Sequence, residues 1–87
     1  MPESQVGRVT DYFRKVGVAG IKVTADELKV GDTIHIVGHT TDLTHTIESM
    51  QIQNEDVERA TKGDDVGIKI PDRVRKHDIV YLVAPEQ

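Results

Sequence analysis

The chain has 87 residues, no cysteine, and 15 acidic against 11 basic side chains, for a formal net charge of −4. That length supports one small domain, and the missing cysteines exclude disulfide staples and thiolate metal sites. The acidic balance argues against an autonomous, non-specific nucleic-acid binder, whose affinity comes from neutralising phosphates, and three aromatics (Tyr12, Phe13 and Tyr81) are too few for a base-stacking platform.

Met1 to Gln5 reads as a polar tail. With Glu3 and no apolar run it is not a signal peptide, and nothing in the chain approaches the ~20 apolar residues of a membrane span. A cytoplasmic protein without membrane contact is expected, in keeping with a reducing compartment. Val6 to Phe13 is strand-like, and Arg14-Lys15-Val16-Gly17 breaks it as a turn with a basic tip. Val18 to Thr24 is a second strand, in which Gly20 marks a bend or bulge. Ala25 to Gly31 is too short for a helix and reads as a loop whose Leu28 and Val30 plug the end of the core. Thr33 to Gly38 is the third strand, with Ile34 and Ile36 on one face and Thr33, His35 and Val37 on the other.

His39 to Thr44 reads as a polar turn and His45 to Asn54 as a long strand. The apolar residues of that strand, Ile47, Met50 and Ile52, share one face only if a bulge lies at Glu48-Ser49. Glu55 to Lys62 has helix-compatible composition, with Val57 and Ala60 spaced for one helical turn. Asp65 to Ile70 alternates cleanly, and Pro71 ends it. Asp72 to His77 is a basic loop around Val74. Ile79 to Ala84, apolar on both faces, reads as a central or closing strand. The expected layout is a tail over residues 1–5, one domain over 6–84 and a tail over 85–87. One design recurs three times, as KVGDTIHIVG from Lys29, TKGDDVGIKI from Thr61 and RKHDIVYLVA from Arg75. In each, a basic residue and an acidic turn residue launch a strand.

This order of segments resembles the second domain of elongation factor Tu, the β-barrel shared by translational GTPases such as initiation factor two and elongation factor G. Lys29 to Gly38, the Ile47 to Gln53 strand, the Val57-to-Ala60 turn and Gly63 to Ile70 carry the resemblance. It implies an all-β fold, a six-stranded Greek-key antiparallel β-barrel of the translation-factor domain 2 (reductase/isomerase/elongation factor common domain) type. His77 stands before the last strand where the family has Gly. No GxxxxGK[ST] phosphate loop occurs, and Thr61-Lys62-Gly63-Asp64 only faintly echoes the guanine-reading NKxD, so GTP is not an expected ligand. A similar barrel is also an accessory domain in some collagenase-like peptidases of the U32 family.

The residues themselves offer little chemistry. His35, His39 and His45 fall in one hairpin, where His35 and His45 could face each other, yet a metal site needs three or four converging ligands. Ser49 lacks a nucleophile elbow. The pairs Glu55-Asp56 and Asp64-Asp65 sit in expected turns, where Asp accepts local backbone N–H bonds. The most suggestive feature is the basic loop Arg73, Arg75, Lys76 and His77, extended by Arg14 and Lys15 if the two loops share one end of the barrel. It could meet phosphate or an acidic partner, or be a solvated turn guarding an edge strand. The expectation is a non-catalytic, translation- or RNA-linked binding module with a protein or ribonucleoprotein partner. RNA would be met through the basic loop, with no DNA, no cofactor and no metal. The alternative is an accessory domain acting in trans with a U32-type peptidase, and a small enzyme or metalloprotein comes third.

Overall fold

A computed structural model describes residues 3–83, and no residue in that span is helical. Ten strands follow one another: β1 (Glu3–Phe13), β2 (Val18–Val23), β3 (Glu27–Lys29), β4 (Thr33–Val37), β5 (Asp42–Thr46), β6 (Met50–Ile52), β7 (Glu55–Val57), β8 (Arg59–Thr61), β9 (Asp65–Lys69) and β10 (Ile79–Val83). Eight of them pair in one sheet, ordered β5-β4-β10-β1-β2-β9-β6-β7, while β3 and β8 form a separate two-stranded ribbon. Every pairing is antiparallel. The all-β antiparallel class agrees with the sequence reading.

The six-stranded Greek-key barrel does not. The main sheet has eight strands, and among the described residues no pairing joins its outer strands β5 and β7. One sheet face supplies a single core from Val6, Val9, Ile21, Ile34, Ile36, Met50, Val66, Ile68 and Val80, with Leu28 and Ala60 added by the ribbon. A single layer can bury so many side chains together only by curling round them. Backbone hydrogen bonds stitch the open side: Val30 N–H donates to the Glu58 carbonyl at 3.0 Å and Gly31 N–H to that of Ile47 at 2.8 Å.

Several element boundaries move, each for a local reason. Glu3 to Gln5, read as tail, pair with Val83 to Tyr81 in β1. Residues 1, 2 and 84–87 lie outside the described span, and with them Ala84 and the expected C-terminal tail. The helical turn at 55–62 is instead β7 and β8, because Ala60 pairs with Leu28 across the ribbon. The long strand expected from His45 to Asn54 is divided between β5, which begins at Asp42 inside the expected polar turn of 39–44, and β6. Ile47 keeps its backbone hydrogen bonds with Gly31 and Asp32 and points into the core, and Glu48-Ser49, in place of the expected bulge, then carry the chain over to β9, where Met50 is buried again. The bulge expected near Gly20 sits on the facing strand, where the register of β1 shifts between Val9 and Asp11. Of the two proposed plugs, Leu28 is fully buried and Val30 is 41% exposed.

The three recurring segments share one turn. Lys29 N–H donates to Asp32 Oδ2, Thr61 N–H to Asp64 Oδ2 and Arg75 N–H to Asp78 Oδ2, each at 2.9 Å. The same three Asp N–H groups donate back to the carbonyls of Lys29, Thr61 and Arg75. The third position is left-handed in every copy: Gly31 (φ 98°), Gly63 (φ 96°) and His77 (φ 74°). This is the arrangement of a type II turn with an Asp side chain closing it. At His77 it carries the steric cost that Gly avoids.

Candidate functional site

The basic loop between β9 and β10 is pinned rather than loose. Val74 is buried, and the Asp78 carboxylate, also buried, accepts the Arg75 N–H. His77 N–H donates to the Val9 carbonyl, and Val9 N–H donates to the Asp78 carbonyl, both at 2.8 Å. These bonds present Arg73, Arg75, Lys76 and His77 to solvent. Arg73 and Arg75 line a polar hollow of about 350 Å³ with Thr40, Thr41, Asp42, Leu43 and Asp72. Lys76 and His77 are outside it, as are Arg14 and Lys15. The turn holding Arg14 and Lys15 meets the basic loop through Ile70 N–H, which donates to the Gly17 carbonyl at 3.0 Å. The six residues are thus split, with two at a hollow, two at a turn apex and two at a hairpin tip.

The histidines do not converge. In the β4–β5 register His35 faces Thr44 and His45 faces Ile34, so the two rings point to opposite faces. His35 is held between carboxylates, with Nδ1 3.0 Å from Glu3 and Nε2 2.5 Å from Asp42. The hydrogen bond with Asp42, then that with Glu3, raises its pKa above the usual histidine value, with burial opposing. Its two nitrogens point at different acids, which suits an ion-pair bridge and not a chelate. Among the described residues no group of three or more His, Cys, Asp or Glu could hold a metal ion. His45 Nε2 is buried with no hydrogen-bond partner. Ser49 is exposed between β5 and β6, and Glu55 and Asp56 lie on β7, where Asp56 accepts from the Gln51 side-chain amide at 2.9 Å.

One concavity was not anticipated. A groove of about 600 Å³ lies over the outer side of β1, β2 and β9, bounded by the β1–β2 hairpin and the β6–β7 turn. Phe13 and Val16 form one wall, Gln51, Gln53 and Asn54 line another part, and Gly20 and Gly67 are in the lining with Asp11 and Asp65. The legible signals were a glycine in the middle of each of two neighbouring strands and apolar residues at a hairpin tip. Neither is specific without the pairing that sets the glycines side by side.

No protein-family model matches the chain. Over 80 residues, 91% of its length, the chain is 48% identical to an uncharacterized protease of Methanocaldococcus jannaschii. Over 80 residues it is 35% identical to a collagenase of Porphyromonas gingivalis. The chain spans about a fifth of the length of these relatives, 19% of the first and 22% of the second. Two crystal structures of the C-terminal domain of a Geobacillus thermoleovorans protein assigned to the U32 peptidases share the fold. Their TM-scores are 0.82 and 0.83 at 18% identity, covering 88% and 94% of this chain and 96% and 93% of that one. These likenesses overturn the elongation-factor resemblance, and with it the translation and RNA-binding role it implied. The turn-and-strand rhythm that suggested it is shared by small β-folds with different jobs.

Proposed function

We propose that this chain is a non-catalytic accessory domain of the kind found in U32-type peptidases, working beside a peptidase body. The observation that carries the reading is the 48% identity, over nine-tenths of this chain, to a segment of a larger protease. The share of the relative that is matched, about a fifth, fits a module added to a catalytic body. The site chemistry agrees. Hydrolysis of a peptide needs a nucleophile or activated water, a base and donors for the oxyanion in one cleft. No serine, histidine or cysteine lines the groove, its two carboxylates have separate partners, Asp11 in the Tyr12 N–H and Asp65 in Lys22, and His35 is committed to Glu3 and Asp42. In this reading the described span acts as one domain, in the cytoplasm, and its partner is protein. Arg73 and Arg75, exposed at a hollow that Asp42 and Asp72 also line, can meet carboxylates on that partner.

Mixing tests this. A U32-type peptidase shortened by its matching C-terminal segment should form a complex with this chain on size exclusion, while the chain alone leaves gelatin uncut. Gelatin cleavage by the purified chain, or two separate peaks at micromolar concentration, would count against the reading.

A further inference from the structure

We propose that the groove over Gly20 and Gly67 receives an extended polypeptide segment carrying cationic side chains. This goes beyond the accessory-domain reading and stands on the groove's own residues, so either can fail without the other.

The first support is misplaced hydrophobicity. Three large apolar side chains are conspicuously exposed among the described residues, and two of them, Phe13 (51%) and Val16 (60%), line this groove. The second is the floor. Gly20 and Gly67 are direct partners across β2 and β9, and neither has a positive φ. A Cβ on Gly20 would come no closer than 3.5 Å to any neighbour, and one on Gly67 would come to 3.1 Å from Val18 Cγ1. Backbone geometry therefore does not demand glycine at Gly20, although glycine weakens a strand interior. What the pair does provide is bare backbone, which another main chain can approach closely. Along one side stand Gln53 and Asn54, both left-handed (φ 52° and 66°) in the β6–β7 turn. Their side-chain amides carry donors and acceptors for a peptide backbone.

Charge selects the occupant. Asp11 and Asp65 line the groove and no basic residue does. The ion pair of Asp65 with Lys22 is long, at 4.0 Å, and exposed. A guest carrying Lys or Arg complements this lining. A second copy of the chain would bring a further net charge of −4 and the same two carboxylates. The volume, about 600 Å³, lies within the range of about 300–1,000 Å³ usual for ligand sites.

The test is a ¹⁵N NMR titration of the 87-residue chain with a short capped peptide of repeated Gly-Ala-Arg units, against repeated Gly-Ala-Glu as control. Shifts should cluster at Phe13, Gly20, Gln53 and Gly67 with the Arg peptide alone. Gly20→Val, which fills the floor with a strand-favouring residue, and Asp11→Asn with Asp65→Asn should each weaken binding by about tenfold. Phe13→Ala, at an exposed site, supplies the same comparison should Gly20→Val disturb the fold. No shifts at millimolar peptide, shifts on another face, equal binding of the Glu peptide, or groove shifts that follow protein concentration instead of peptide would each overturn the proposal.

Discussion

At the scale of single residues, His35 and Gly38 are where local chemistry does most. His35 links β4 to the start of β1 through Glu3 and to β5 through Asp42. Because its folded pKa is raised, its contribution is fully present below the unfolded histidine value of about 6.5 and is lost as pH rises through the folded value. Both carboxylates are substantially solvent-accessible, so the effect should be about 1 kcal/mol or less. Thermal unfolding of wild type and His35→Gln should therefore differ near pH 6 and converge progressively as pH rises into the alkaline range. A constant difference would remove the ion pair as its cause. Gly38 is fixed by contact: a Cβ there would collide with the Asp78 carboxylate, which is already committed to the Arg75 N–H. Gly38→Ala should cost about 1–3 kcal/mol in urea unfolding, whereas an unchanged midpoint would mean that Asp78 moves freely. Neither role was legible in the sequence. The first needs Glu3, which composition put in a tail, and the second depends on a contact forty residues away in the chain.

At the scale of elements, the turns were the most legible part of the molecule. Gly31-Asp32, Gly63-Asp64 and His77-Asp78 each precede a strand and each close by the same Asp hydrogen bond. Replacing Asp32 or Asp64 by Ala should cost about 1 kcal/mol, as for a lost side-chain cap. Asp78→Ala should cost more, since Asp78 is buried and its removal leaves the Arg75 N–H without its partner. Denaturant midpoints for the three variants check that order, and equal losses would contradict it. Strands with clean alternation, such as β4 and β9, were equally readable because period two has one structural meaning. Glu55 to Lys62 was not, since Val57 and Ala60 satisfy a helical spacing as well as two short strands, and only pairing with β3 decides between them. Likewise, His45 to Asn54 could not show a change of partner, because Ile47 follows Leu43 and His45 in period two, whereas Met50, beyond Glu48 and Ser49, pairs with β9 and not with β4.

At the scale of the whole molecule, one curled sheet with a two-stranded ribbon sets a buried core beneath an outward groove. The ribbon joins that core through Leu28, while Val30 next to it stays exposed. Leu28→Ala should therefore cost about 2–5 kcal/mol, and Val30→Ala should stay within about 0.5 kcal/mol. Comparable losses at both positions would mean that the ribbon closes the core in a different way. The antiparallel all-β class could be read from the sequence, but strand count and closure could not, because both depend on which distant strands meet. Function was harder still. The elongation-factor resemblance rested on the order of four segments such as Lys29 to Gly38 and Gly63 to Ile70, which reports fold, whereas the groove rests on Gly20 meeting Gly67 across strands that lie far apart in sequence. The most direct measurement grafts this chain in place of the matching segment of the Porphyromonas gingivalis collagenase and compares gelatin turnover with the intact and shortened forms. The accessory-domain account predicts turnover near that of the intact protein and above that of the shortened one. A chimera that folds but works no better than the shortened form would contradict it.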